Sequence, residues 1–343
     1  MSQSGLIDET ATTTESPSAA QWSGPLFVVG MFRSGTSLLY TLLNKHPQIA
    51  LMYEADLFRL KPYLRTLRVG RRWTSKCESW NGVFHRHGLD PSEIIVRSSD
   101  LRIGIERVYR EYARQKGAVI WGDKSPTYHD FLGRLARDFP DARFIIIWRD
   151  PLAICRSVMH AAQKSRWFGK TGMNHRVLMG YRVLKGECDR LVDKGARIYQ
   201  LQYEELVRDP VHAMTGICTF LGIPFVPSMV SLKGADRSAI YDGEHHALVR
   251  GQRVIADVDR AEILPSNLKR KIERYINLWQ RESDGIWPTS GSCQNCEQRE
   301  PSLAERVLDQ VLYHSLRGFD VVVNLMHILA PRRAVEAWRR LRQ

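Results

Sequence analysis

The sequence predicts an α/β fold: a three-layer α/β/α arrangement with a central, mostly parallel sheet, helical insertions and a C-terminal helical appendage. Short apolar segments alternate with longer helical patterns, an order that favours parallel strands joined by crossover helices. The segment 143–148 is a continuous apolar run, typical of a central strand covered on both faces. A loop bounded by two glycines follows the first apolar segment and opens a helix.

Five strands are predicted, each a short apolar run that stops at turn-forming or charged residues. They span 25–30, 49–53, 118–122, 143–148 and 197–201. Helical spacing of apolar residues predicts helices over 36–45, 56–68, 101–116, 127–138, from 150 onward, 174–194 and 210–221. Because ligands bind at the carboxyl ends of parallel strands, the polar residues just after these strands are the candidates for a functional site.

Composition divides the chain into four parts. Residues 1–23 are rich in Ser, Thr and Ala without periodicity and are predicted to be a disordered tail. One large domain is expected over 24–285, followed by a linker over 286–300 and a C-terminal helical extension over 301–343. The N-terminus lacks the pattern of a secretory leader and no apolar run reaches about 18 residues, so a cytoplasmic location is expected.

The extension contains a short apolar stretch, 319–330, that is followed by a cluster of arginines. The cluster consists of Arg332, Arg333, Arg339, Arg340 and Arg342. Such a segment is typical of a helix lying on an anionic membrane, so peripheral membrane contact through 319–342 is one interpretation. Packing on the core, or on a second subunit of a homodimer, is the interpretation that the helix length favours.

The formal net charge of +13 favours an anionic partner, such as a nucleotide, an acidic glycan or a membrane surface. Basic residues are not interleaved with aromatic ones, so no nucleic-acid partner is expected. The spacing of the six cysteines does not suggest a disulfide framework, and Cys293 and Cys296 have no second pair with the spacing of zinc ligands. We therefore expect no metal.

The loop after the first strand runs from Gly30 to Gly35 and continues with Thr36 and Ser37. This outline is P-loop-like, with backbone N–H groups at a helix N-terminus that can bind a phosphate-like anion. Thr36 occupies the slot where an NTPase places its phosphate-binding lysine. Arg33 offers a cation within the loop instead, which suits a donor that needs no magnesium.

The segment from Phe32 to Ser37 resembles the 5′-phosphosulfate loop of sulfotransferases that use 3′-phosphoadenylyl sulfate (PAPS) as donor. The family usually has proline where this chain has Phe32. Three further segments resemble the family in the expected order, with the family-like region over about 25–225. They are Gly122–Pro126, Trp148–Pro151 with Ser157, and Tyr203–Leu206.

The resemblance implies a role for each of these residues. Arg33, Ser34, Gly35, Thr36 and Ser37 would bind the 5′-phosphosulfate. Arg149 and Ser157 would bind the 3′-phosphate, and Tyr203 would approach the adenine. Lys124 would reach the sulfuryl group as it transfers, a role that suits a compact positive charge.

Transfer to a hydroxyl also needs a base that takes the acceptor proton. Glu54 follows the second strand, as in the carbohydrate and tyrosylprotein branches of the family, which this bacterial-type chain resembles most. Asp56 is the nearby competitor, with capping of a helix as its ordinary explanation. Glu54, Lys124 and Arg33 are thus the predicted catalytic residues.

The predicted function is transfer of a sulfuryl group from PAPS to a hydroxyl of a carbohydrate, lipid or phenol by in-line displacement. The segments 60–115 and 160–180 are expected to shape the acceptor site. Two alternatives remain open at this point. A P-loop kinase would need magnesium and ATP, and a non-enzymatic polyanion-binding protein would show steep salt dependence.

Overall fold

The computed structural model describes residues 23–58, 83–90, 101–164, 168, 173–240, 249, 264–282 and 301–329. Five parallel strands form one sheet in the order β2-β3-β1-β4-β5. The strands are β1 (Leu26–Gly30), β2 (Ile49–Tyr53), β3 (Ile120–Lys124), β4 (Arg143–Trp148) and β5 (Arg197–Gln202). The predicted α/β fold with a mostly parallel sheet is therefore confirmed.

Every side chain of β1, β2 and β3 is buried, which shows that both faces of the sheet are covered at these strands. The α-helices are α1 (Thr36–Leu43), α2 (Leu101–Gln115), α3 (Leu132–Asp138), α4 (Pro151–Lys164), α5 (Met173–Asp193), α6 (Tyr203–Arg208), α7 (Pro210–Leu221), α8 (Ser266–Glu282) and α9 (Leu303–Leu329). Short 3-10 helices span Pro126–Asp130 and Pro227–Val230. Among the described residues, no helix is both long enough and apolar enough to cross a bilayer.

The register of the sheet brings the ends of its strands to one edge. Gly30 pairs with Ile147 between β1 and β4, and Tyr53 pairs with Lys124 between β2 and β3. β1 lies in the middle, with β3 and β2 on one side and β4 and β5 on the other. The residues after all five strands therefore meet around the loop that follows β1, where α/β proteins bind ligands.

Two predicted elements differ from the structure. The third strand was predicted over 118–122 and runs instead to Lys124, because Gly122 allows β3 to approach β1 closely. A Cβ on Gly122 would lie 1.9 Å from the carbonyl oxygen of Leu26. The helix predicted over 127–138 is divided into the 3-10 helix Pro126–Asp130 and α3, with Phe131 between them at φ −126°.

Helices α6 and α8 were not predicted from the sequence. The bulk of the helix predicted over 56–68 lies outside the described residues. The predicted tail and linker, together with Cys293 and Cys296, also lie outside them. The extension predicted as helical contains α9, while the division of the chain into domains remains a prediction.

Candidate active site

The loop between β1 and α1 is a tight turn built on two left-handed residues. Arg33 has φ 70° and Gly35 has φ 98°, and the Ser34 N–H donates to the carbonyl of Met31 at 3.0 Å. Thr36 then begins α1, so the first N–H groups of the helix face the space above the sheet edge. Unpaired N–H groups at a helix N-terminus stabilise an anion there.

Both glycines of the loop are required by close contacts. A Cβ on Gly30 would lie 2.5 Å from the Ser34 Oγ and 2.7 Å from the carbonyl oxygen of Ile147. A Cβ on Gly35 would lie 2.4 Å from the ring of Tyr203. The loop is therefore packed directly against the residue that follows β5.

The two arginines and the serine predicted to bind the donor are in contact with one another. The Arg33 Nε donates to the Ser157 Oγ at 3.0 Å, and an Arg149 guanidinium nitrogen donates to the Arg33 carbonyl at 2.9 Å. The Arg149 guanidinium also lies 4.2 Å from the centre of the Tyr203 ring. We call these four residues, Arg33, Ser157, Arg149 and Tyr203, the arginine cluster; it joins the loop to the ends of β4 and β5.

The predicted lysine and glutamate form an ion pair at the ends of β2 and β3. The Lys124 Nζ donates to the Glu54 Oε1 at 2.6 Å, and the Glu54 N–H donates to the Lys124 carbonyl at 2.8 Å. The Lys124 side chain is fully buried, whereas that of Glu54 is 23% exposed. Glu54 is therefore the more exposed member of the pair.

Tyr53 links this ion pair to the glycine loop. Its ring centre lies 3.9 Å from the Lys124 Nζ, and its hydroxyl lies 2.8 Å from the Ser37 Oγ. Burial raises the pKa of Tyr53 well above its usual value, so the phenol is neutral and either hydroxyl can donate. Ser37, predicted as a donor-binding residue, thus lies beside the carboxylate–lysine pair rather than in the arginine cluster.

The turn after β2 has an unusual backbone that a buried carboxylate supports. Glu54 and Asp56 have φ values of 45° and 53°, a region that costs a non-glycine residue about 1–3 kcal/mol. The fully buried Asp123 accepts from the N–H groups of Ala55 and Asp56 at 3.2 and 3.1 Å and from the Tyr128 hydroxyl at 2.7 Å. Burial, followed by the charge of Asp56, raises the pKa of Asp123 to about 7.

Asp56 has partners that explain it without a catalytic role. Its Oδ1 accepts from the hydroxyls of Ser125 and Thr127, the latter at 2.8 Å. Ser125 in turn caps the 3-10 helix by accepting from the Thr127 N–H. The Asp56 carboxylate therefore ties the turn to the chain that follows β3.

The sequence did not predict that Tyr53 and His87 support the site, or that Asp123 holds the turn after β2. The Tyr53 N–H donates to the His87 Nε2 at 2.8 Å, while the His87 Nδ1 bonds the Val83 carbonyl at 2.8 Å. Burial lowers the pKa of His87 to about 4, which keeps the ring neutral and leaves Nε2 as an acceptor. These contacts join distant parts of the chain, and the local sequence carries no pattern that reveals them.

The loop suits an anionic group on structural grounds. The Ser34 hydroxyl is buried and has no hydrogen-bond partner among the described residues, while the N–H groups of α1 begin two residues later. A buried polar group without a partner is costly unless a ligand satisfies it. A phosphate or sulfate oxygen at this point would accept from the Ser34 hydroxyl.

Comparison with known proteins identifies the family of the chain. The sequence model of the sulfotransferase family matches residues 25–227, more than half of the chain. The chain therefore belongs to the sulfotransferase family, and the predicted resemblance is confirmed. The match spans β1 through β5, including every residue described in the loop, the arginine cluster and the ion pair.

Individual relatives are distant. The chain is 32% identical to the nodulation protein NoeE of Sinorhizobium fredii over 151 residues, which cover 41% of this chain and 31% of the relative. It is 29% identical to the omega-hydroxy-beta-dihydromenaquinone-9 sulfotransferase Stf3 of Mycobacterium tuberculosis, over 51% of this chain and 46% of that protein. The chain thus spans less than half the length of these curated relatives.

A solved structure supports the fold. The sulfotransferase domain from the curacin biosynthetic pathway has a TM-score of 0.54 and 18% identity, covering 78% of this chain and 99% of that domain. At this identity the likeness concerns the fold alone.

Proposed function

We propose that this sulfotransferase uses PAPS as its donor and transfers the sulfuryl group to a hydroxyl of a carbohydrate, lipid or phenol. The observation that carries the proposal is the Lys124–Glu54 ion pair, which lies at neighbouring strand ends beside an anion-binding loop. One side of this site suits a doubly phosphorylated nucleotide, and the other has a carboxylate that can accept the proton of an acceptor hydroxyl.

The donor side consists of the loop and the arginine cluster. Arg149 and Ser157 would bind the 3′-phosphate, and Tyr203, already stacked on Arg149, would border the adenine. Ser34, the N–H groups of Gly35, Thr36 and Ser37, and the Arg33 guanidinium would bind the 5′-phosphosulfate. Arg33 contacts Ser157 at 3.0 Å, so one arginine connects the two phosphate positions.

The acceptor side consists of Glu54 and Lys124. Glu54 would accept the proton of the acceptor hydroxyl. The acceptor oxygen forms a bond to sulfur while the bond between sulfur and the phosphate oxygen of the donor breaks. The products are a sulfate ester and adenosine 3′,5′-bisphosphate. Lys124 would donate to the leaving phosphate oxygen, because its ammonium has three donors and can contact Glu54 and the donor together.

Asp56 and Asp123 would act as positioning residues. Their bonds hold the turn that follows β2, and that turn fixes Glu54 against Lys124. This assignment makes Glu54 rather than Asp56 the base.

The donor is tested by calorimetric titration with adenosine 3′,5′-bisphosphate and, in parallel, with ATP, both without magnesium. We expect the bisphosphate to bind and ATP to bind at least about tenfold more weakly, since ATP has no 3′-phosphate for the arginine cluster to contact. Preference for ATP over the bisphosphate would favour a kinase instead. The class of acceptor is then identified by measuring transfer of radiolabelled sulfate from PAPS to sugars, phenols and extracted lipids.

A further inference from the structure

Helix α9 docks on the rest of the protein through polar side chains. Asp309, which is 3% exposed, accepts from the Lys271 Nζ at 2.7 Å and from the Tyr275 hydroxyl. The carbonyl of Asp309 also lies 2.6 Å from the His175 Nε2. Two other elements, α5 and α8, thus hold the helix by hydrogen bonds to a single residue.

The same face makes further polar contacts one and two turns later. The Tyr313 hydroxyl donates to Asp130, and Arg317 contacts the other oxygen of that carboxylate at 3.3 Å. Asp309, Tyr313 and Arg317 are spaced four residues apart, so they lie on one side of the helix. This side faces the protein.

The opposite side of the same turns is apolar and exposed. Its members are Leu303, Val307, Leu308, Val311 and Leu312, between 44 and 71% exposed, and we call them the outer stripe. Among the described residues, only Val192 and Val211 are other large hydrophobic side chains with such exposure. A surface helix normally buries its apolar stripe and turns its polar side to water, so α9 has the reverse arrangement.

The charge of the chain indicates what covers the outer stripe. The backbone of α9 continues through an apolar sequence to Leu329, and residues 330–343 contain five arginines and a single acidic residue, Glu336. An apolar helical face and a basic segment in the same chain together favour binding to anionic membranes, through burial of the face and attraction to lipid head groups. Two copies of this chain would instead bring together surfaces that each belong to a protein of charge +13.

We propose that the outer stripe of α9 is a docking surface for an anionic lipid bilayer, on which the protein lies peripherally. The polar contacts of Asp309 and Tyr313 fix the helix to the catalytic domain, so docking would hold the domain at the membrane. This proposal is independent of the donor and acceptor assigned above.

The test is flotation of the full chain with vesicles of phosphatidylcholine alone or mixed with phosphatidylglycerol. The double variant Val307→Asp, Val311→Asp removes the centre of the stripe, and Val211→Asp is the matched control, since Val211 is 51% exposed and Val307 and Val311 are 54 and 55% exposed. We expect binding to the mixed vesicles that salt weakens, a loss of about 100-fold in the double variant, and no change in the control. Circular dichroism and bisphosphate binding verify that each variant is folded.

Three outcomes would overturn the proposal. They are failure of the unaltered chain to float with mixed vesicles, equal flotation of the double variant, and a dimer in light scattering that the double variant abolishes. The last result would assign the stripe to a second copy of the chain.

Discussion

The two halves of the candidate site are built in different ways. In the donor half, the loop and the arginine cluster rely on backbone N–H groups, on cations and on hydroxyls that are partly exposed. In the acceptor half, the Lys124–Glu54 pair depends on a strained turn and on the buried carboxylate of Asp123. The first half offers cations and hydroxyls to a ligand, whereas the second holds one carboxylate against one buried lysine.

This difference has an energetic consequence. Two non-glycine residues with positive φ within three positions cost about 2–6 kcal/mol together, and the bonds to Asp123 and Asp56 offset that cost. A structure that stabilises such a turn fixes Glu54 within reach of Lys124. Changes at Glu54 and Lys124 should therefore reduce turnover, and changes at Arg149 and Ser157 should reduce nucleotide affinity.

The largest effect is expected for Lys124→Ala, measured as transfer of labelled sulfate to the best acceptor found. Loss of a donor that stabilises the leaving phosphate costs about 3–4 kcal/mol, so turnover should fall about 10²–10³-fold. Lys116→Ala is the matched control, because Lys116 is an exposed lysine whose partner is Asp236. Turnover of Lys124→Ala within about threefold of the control would contradict the role of Lys124.

The second-largest effect is expected in the turn after β2, where the carboxylates of Glu54 and Asp56 have different proposed roles. Glu54→Gln should lower turnover at least about 100-fold, because general base catalysis typically contributes that much. Asp56→Asn should instead lower the free energy of unfolding by about 1–3 kcal/mol, since it disturbs the bonds to Ser125 and Thr127. Denaturant unfolding and the transfer assay separate the two roles, and a larger turnover loss in folded Asp56→Asn would exchange them.

The smallest effect concerns the histidine behind β2. The pKa of His87 is lowered to about 4 from 6.5, so the neutral ring stabilises the fold above pH 6.5 and this stability is lost as pH falls toward 4. Between pH 6.5 and about 5, the contribution to the free energy of unfolding should fall by about 1.5 kcal/mol. His87→Gln keeps an acceptor for the Tyr53 N–H without titrating, so its pH dependence should be flatter by that amount.

His212→Gln serves as the control for this measurement, because the His212 side chain is 75% exposed. It should show the pH dependence of the unaltered chain. A His87→Gln variant with that same dependence would mean that His87 is not held neutral.

The two halves also differ in what their sequence reveals. The loop was predicted from its glycine-bounded outline, whereas the roles of Arg149 and Ser157 were predicted through the resemblance to the sulfotransferase family. Glu54 and Lys124 were also predicted, and the structure places them 2.6 Å apart. Their contact follows from the pairing of β2 with β3, which are far apart in the chain.

What supports the acceptor half could not be read from the sequence. The bonds of Asp123 to Ala55 and Asp56 span nearly 70 positions, and a buried aspartate next to Lys124 has no local signature. The reversed amphipathicity of α9 was equally hidden, because helical spacing shows an apolar side without showing which way it faces. Long-range packing decides both features.

The most direct test of the division between the halves is the calorimetric affinity for adenosine 3′,5′-bisphosphate of three proteins: the unaltered chain, Arg149→Ala and Glu54→Gln. Loss of a charged hydrogen bond costs about 2 kcal/mol, so Arg149→Ala should bind about 30-fold more weakly, while Glu54→Gln stays within about threefold. Unchanged affinity in Arg149→Ala, or an equal loss in Glu54→Gln, would contradict the account.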